Sequence, residues 1–392
     1  LYGIWPSTSG SQESLKAPEV YIDAGRQSFV AAHTDRAFPR DLRVNTFQDV
    51  DWQFAQAIKA GAELELVDLF RWGYSTLQVA KVVYPGSHYA MVKPLELFEQ
   101  ARQDIKAKEE EYAETMNVLE LQEALSTLSV HPAKIDFSLA MAYLEVERVD
   151  KAIPLLENLQ KLRLGYEQSR RLKGEAGNST FTGLELGASP YLLQLRELNQ
   201  VGWMLGKAYD LRDRKSDAVT ALNAFLESTR KSGVAENGMD REVRFRALSL
   251  LSKIHLEQVH LQESLIRELR GQLQGGLTFS KAEEKRESSL EGAYRRLKEL
   301  YAPEFKVYGL QDQHLMFMET CVKLKKTDEA LALAADFDSG DPHSRNEMKL
   351  WEVQALLQKN PSDLVIPALH TIAVDNTRRH LRLAALVMMG DL

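Results

Sequence analysis

His255 and His260, the lone cysteine Cys321, the run Gly271-Gln272-Leu273-Gln274-Gly275-Gly276 and the triplet Asn178-Ser179-Thr180 are the places where this chain could do chemistry. A zinc-binding pair of histidines on one helix sits four apart with a glutamate after the first. These two are five apart, on diverging faces, so His255 is read as a packing residue. The glycine run lacks the Lys-Ser/Thr ending of a phosphate loop and does not follow a strand, and reads as the break at a helix end. No Gly-x-Ser-x-Gly elbow is present to expose a nucleophilic serine. One cysteine allows neither an intrachain disulfide nor a cysteine-rich zinc site. The Asn178 sequon is short enough to arise by chance. The expectation is a protein with no catalytic residues, no metal and no cofactor, and not an enzyme.

The composition agrees. The 392 residues are 44% hydrophobic and 27% charged, as in a folded soluble protein. Forty-nine basic against 56 acidic residues leave a net charge of −7, which argues against nucleic acid as a partner. No apolar run reaches the roughly 18 residues that span a bilayer. Leu1 in place of Met implies a processed chain or a fragment. Leu1-Tyr2-Gly3-Ile4-Trp5 and the polar run after it read either as an irregular terminus or as the outer end of a removed membrane or signal segment. The second reading would tether the chain upstream of Leu1 at a bacterial envelope or periplasm; the first leaves the cytoplasm open.

The elements are helical almost throughout. Residues 1–45 carry scattered Pro and Gly and are expected to be irregular. Residues 46–132 read as a helical N-terminal region, in which Phe47, Val50, Phe54 and Ile58 recur at helical spacing, the β-branched run before Tyr84-Pro85-Gly86 is either a helix end or a short strand, and Pro94 opens a long helix. Residues 133–392 read as helix after helix, broken at residues 173–190 and 231–238, at Gly275-Gly276, Tyr301-Ala302-Pro303, residues 339–342 and Asn360-Pro361. Almost no stretch alternates with period two. The basic cluster Lys161, Arg163, Arg170, Arg171 and Lys173 fits the exposed side of an amphipathic helix, with a site for an acidic partner as the competing reading.

One pattern recurs: a small residue, a ring or comparable side chain three later, and a small residue nine after that. Its copies are Ala140-Tyr143-Ala152, Gly206-Tyr209-Ala218, Ser252-His255-Ser264 and Met318-Cys321-Ala330. Small residues let two helices approach closely, and the ring fills the wedge between them. Asp150, Asp217 and Asp328 fall near the start of the second helix, at the favourable end of its dipole.

With these positions the chain resembles the tetratricopeptide repeat family, in which a helix pair of 34 residues carries the same small, aromatic and alanine sites. The resemblance implies an all-α fold, a right-handed superhelical solenoid of antiparallel helix pairs, over residues 133–392. It is a divergent one: the copies start 66, 46 and 66 residues apart, and Asp136, Gly202, Leu248 and His314 stand where the family has tryptophan. It also implies a protein or peptide partner on the concave face, lined by the first helix of each pair. Carried over position by position, that face holds Lys134, Phe137 and Met141, then Gln200, Trp203 and Lys207, then Arg246, Ser249 and Lys253, then Asp312, Leu315 and Glu319. Its positive middle implies an acidic partner. Met141 and Met204 stand where a chaperone-binding clamp would need asparagine, which argues against that role. The competing expectation is a separate ligand-binding or catalytic module in residues 1–92, with the repeats as a targeting arm.

Overall fold

A computed structural model describes residues 17–34, 40–116, 128–173, 184–185, 191, 193–231, 238–271, 276–338, 341–359, 365–375 and 379–391. The terminal stub, the Asn178 sequon, residues 272–275 and the side chains of Arg170, Arg171 and Lys173 lie outside the described residues. The fold is all-helical, apart from a parallel bridge of two-residue strands, β1 (Leu184–Glu185) and β2 (Leu193–Gln194). The chain divides into two compact units, Leu1–Met204 and Leu205–Leu392. Residues 46–132 and 133–204 thus share a unit, where a border at 132/133 was expected.

In the first unit the helices are α1 (Pro18–Thr34), α2 (Arg40–Lys59), α3 (Leu66–Val83), α4 (Val92–Thr115), α5 (Pro132–Glu145), α6 (Val149–Lys173) and the start of α7 (Leu195–Leu211). From α1 to α6 each packs on the next, and α1 touches α3 as α3 touches α5. Helix α1 corrects the expectation of an irregular stretch. Pro18 opens it, and Gly25, Phe29 and Ala32 form its buried stripe. Gly25 is there for contact: a Cβ on it would lie 3.1 Å from the Phe54 ring of α2. Gly73 does the same between α3 and α4, with the Phe98 ring at 3.0 Å. Helix α5 starts cleanly because Pro132 needs no N–H partner and His131 Nδ1 accepts from the Ala133 N–H at 3.2 Å.

The second unit takes the rest of α7, then α8 (Lys215–Lys231), α9 (Gly238–Gly271), α10 (Gly276–Leu300), a 3-10 turn (Pro303–Tyr308), α11 (Gln311–Lys323), α12 (Thr327–Asp336), α13 (Pro342–Lys359), α14 (Ile366–Asp375) and α15 (Arg379–Asp391). From α8 onward each helix packs on its successor, and α9 touches α11 as α11 touches α13. Asp341 caps α13 by accepting from the N–H groups of His343 and Ser344. Together with the Ser344 hydroxyl, these bonds hold its carboxyl down at about 2.

Three copies of the small–ring–small pattern fold alike. In each, the residue four past the ring position takes a left-handed backbone: Glu147 (φ 57°), Asp213 (φ 58°) and Lys325 (φ 60°). The next N–H then bonds back to the ring residue's carbonyl, Arg148 to Tyr143 at 2.9 Å, Arg214 to Tyr209 at 2.8 Å and Lys326 to Cys321 at 2.8 Å. This is the Schellman way of ending a helix, usually given to glycine. The second helix starts at once: Ala152, Ala218 and Ala330 donate to the carbonyls of Arg148, Arg214 and Lys326. The fixed spacing of the pattern is therefore the length of one turn. All three alanines are fully buried. Gly206 faces Leu222, whose Cγ would be 2.5 Å from an added Cβ. Tyr143 and Tyr209 are buried as wedges. The Tyr143 hydroxyl donates to Glu99 at 2.5 Å, and Arg214 lies 4.3 Å over the Tyr209 ring.

The third copy differs. Helix α9 runs unbroken through Ser252, His255 and Ser264, and Ser264 is exposed. The residue four past His255 is Val259, buried and β-branched, for which a left-handed backbone is strongly disfavoured. His255 instead packs against Gly292 of α10, where an added Cβ would meet its ring at 2.9 Å.

Candidate functional site

The residues expected on a partner-binding face divide by exposure. Lys134 and Phe137 are 2% and 3% exposed, so neither can meet a partner from where it sits. Lys134 Nζ lies 2.5 Å from Glu197 Oε1 of α7 and over the Tyr74 ring of α3, a buried ion pair inside the first unit. Gln200, Trp203 and Lys207 are half-buried along α7. Arg246 and Lys253 are exposed on α9, Arg246 paired with Glu242 and Lys253 loosely with Glu257 at 3.8 Å. On α11, Asp312 is exposed while Leu315 and Glu319 are half-buried.

Within the second unit, α9 and α11 are tied by a seam of polar contacts. Gln313 Nε2 donates to Ser249 Oγ at 3.3 Å. Further along, His260 Nε2 sits 2.6 Å from Glu319 Oε1, and Lys323 Nζ 2.5 Å from Glu263 Oε2 and 3.2 Å from Glu319. The numbering rises on both helices along the seam, so they run in the same direction, as first helices of neighbouring pairs would. The hydrogen bond to Glu319 raises His260 above the usual histidine range, against the opposing effect of burial. Burial by itself would raise the Glu263 carboxyl. Lys323 and Arg286 Nε, 3.0 Å away on α10, outweigh it and hold the group ionised below its ordinary value.

Past Glu263 the seam opens into a groove of about 710 Å³ between the last turns of α9, the first half of α10 and the turn after α11. Its floor is Ile266 and Leu290, both buried. Its walls carry Arg267, Arg270, Arg286, Lys323 and Lys325 against Glu263, Glu283 and Glu287. A second cavity of about 560 Å³ lies where α10 ends against α12, bounded by Tyr301, Phe317, Leu333, Arg244 and Asp336. The groups with chemical potential nearby are locked away. Burial pushes the Cys321 thiol up to about 12, so it carries almost no thiolate near neutrality. Burial, aided by Arg296 and Arg295, holds His255 down at about 4, a neutral wedge. Among the described residues no three His, Cys, Asp or Glu side chains converge as metal ligands, and no helix is long and apolar enough to cross a membrane.

No protein-family model matches this chain, and no curated protein matches it. The site is therefore read from its own geometry. Sequence reasoning missed the seam and the groove, because their members come from α9, α10 and α11 and share no local spacing. The available signal was compositional: Arg267 and Arg270 flank the end of α9, Lys323 and Lys325 the end of α11, and Arg286 lies in the first half of α10, in a chain that is acidic overall.

Proposed function

We propose that this protein is a non-enzymatic scaffold, a divergent right-handed array of tetratricopeptide-like helix pairs that binds a protein or peptide partner on the open face of its first helices. The observation that carries the reading is the identical turn after Tyr143, Tyr209 and Cys321, which sets each second helix against its first through a buried alanine. Stacked pairs of this kind leave a long surface and no enclosed reaction centre. In the second unit that surface is the α9–α11 face, where Arg246 and Lys253 are open to solvent. A separate module in residues 1–92 is the weaker reading, since Arg71 bonds to Tyr191 and Lys81 to Met141, tying that segment into the helices that follow.

Photo-crosslinking tests it. A benzophenone amino acid is placed at Arg246 or Lys253, and as controls at Glu291 or Arg295, which are exposed on the second helix α10. Discrete protein adducts are expected at the first two positions and not at the controls. Equal labelling at both sets, or labelling at neither, would overturn the face assignment.

A further inference from the structure

We propose that the groove bounded by α9, α10 and the turn after α11 receives an acidic peptide segment carrying an aliphatic anchor. This rests on the scaffold reading and gives the partner a chemistry.

The charges in the groove are of two kinds. Arg286 and Lys323 are committed: Glu263 takes both, at 3.0 and 2.5 Å, and Glu319 also holds Lys323. Arg267, Arg270 and Lys325 have no ion-pair partner among the described residues. All three are exposed, and they come from two separate segments that converge on one cleft. Arg270 lies in the last turn of α9 and Lys325 just past the last turn of α11, so two helix C-termini, each favourable to a cation, converge on the cleft. Arg270 already rests 5.5 Å over the Phe279 ring, which restricts its side chain before any ligand arrives.

Beneath these cations the floor is apolar. Ile266 and Leu290 lie at the bottom, and Leu324 is half-buried beside them. A cationic rim over an apolar floor complements a segment whose carboxylates flank a leucine-like side chain. The α10 wall also carries Glu283 and Glu287, both exposed. A nucleic acid, charged at every step, would set phosphates against them, whereas a peptide can turn its carboxylates toward α9 and the turn and keep that edge neutral.

The test is fluorescence anisotropy on the full chain at low salt. The probe is a short fluorescein-labelled peptide of glutamates around one leucine. Saturable binding is expected, weakening as salt is added. The double charge reversal Arg267→Glu with Arg270→Glu is expected to weaken binding by about tenfold, at roughly half a decade per exposed charge contact. Arg345→Glu with Lys349→Glu makes the same charge change at exposed positions of α13 and is expected to leave affinity within about twofold. Circular dichroism and melting temperature confirm that both double variants are folded. Replacing the central leucine by serine is expected to weaken binding as well. The proposal is overturned by no binding, by equal loss in both double variants, or by an oligothymidylate of matching charge binding as tightly as the peptide. Crosslinks at Arg246 and Lys253 would survive any of these outcomes, so the groove can fail while the scaffold reading stands.

Discussion

The hairpins with tight turns, α5/α6, α7/α8 and α11/α12, and the long hairpin α9/α10 reach the same end by different routes. Both bring helices into close approach through a missing or minimal side chain. In α5/α6 and α7/α8 the small residue and the ring lie on one helix, in α11/α12 Met318 and Cys321 take those places, and in all three the turn fixes where the alanine of the second helix falls. In the long hairpin the ring is His255 and its glycine is Gly292, a whole helix later. The first helices differ too. Lys134 on α5 and Arg246 on α9 occupy the same position of the pattern, six before the small residue. Lys134 is buried against Glu197, while Arg246 is exposed and, among the described residues, pairs with Glu242 of its own helix. A repeat position thus sets which way a side chain faces along its helix. What later covers that face decides whether it is core or surface.

Substitution by tryptophan tests this most severely. Ala152 and Ser264 hold the same pattern position, yet one is fully buried and the other exposed. Ala152→Trp should cost ~3–5 kcal/mol, at the upper end for overpacking, while Ser264→Trp should stay within ~0.5 kcal/mol. Gly206→Trp should behave like Ala152→Trp, since Leu222 already fills the space beside it. Urea denaturation measures all three. A destabilised Ser264→Trp would mean that the third copy is a tight hairpin after all.

The paired cations come next. Lys134→Ala leaves Glu197 in a largely buried site without this ammonium partner and should cost ~2–3 kcal/mol. Arg246→Ala removes an exposed pair one helical turn apart and should change stability by less than ~0.5 kcal/mol. Equal effects in thermal melts would erase the distinction between covered and open first helices.

The wedge of the long hairpin gives a pH-dependent contrast. His255 sits at about 4 in the folded protein, against the ordinary histidine value of 6.5. Below about pH 6.5 the unfolded chain takes up a proton that the folded chain refuses until about pH 4. Stability therefore falls as pH drops through this window, by up to ~3 kcal/mol for a mostly buried group. His255→Phe keeps a ring against Gly292 and removes that contribution, so the variant should lose less stability than the wild type between about pH 7.5 and about pH 5. An unchanged difference between the two pH values would show His255 to be protonated in the fold. His260 works in the opposite sense, raised by Glu319, and is unchanged in the comparison.

The difference between the hairpins also explains what could be read in advance. The tight hairpins were legible because the residues of the pattern, the turn and the alanine all lie within one short stretch. The pair His255–Gly292 was not, because its members are a helix apart and Ser264 supplied a false match. Helix α1 was misread because Pro18 and Gly25 look like loop residues, whereas one starts a helix and the other admits the Phe54 ring. The face assignment placed Arg246 and Lys253 on the surface, where they lie, and placed Lys134 and Phe137 there too. Their burial depends on α3, α7 and their neighbours, which no spacing within α5 encodes. The groove cations were invisible for the same reason.

Glycine offers the finest test, because its sign should reverse between the two kinds of hairpin. Asp213 holds φ 58° in a tight turn, a conformation that costs a side-chain-bearing residue roughly 1 kcal/mol. Asp213→Gly should relieve it and stabilise the protein by ~0.5–1 kcal/mol, less what glycine adds to the freedom of the unfolded chain. Ser264, at an exposed site within α9, has ordinary helical geometry. There Ser264→Gly should destabilise by ~0.5 kcal/mol through helix propensity alone. Chemical denaturation of the two single variants against the wild type reads both signs. If Asp213→Gly destabilises as Ser264→Gly does, the left-handed turn is not what ends α7, and the shared turn geometry loses its place as the cause of the repeat spacing.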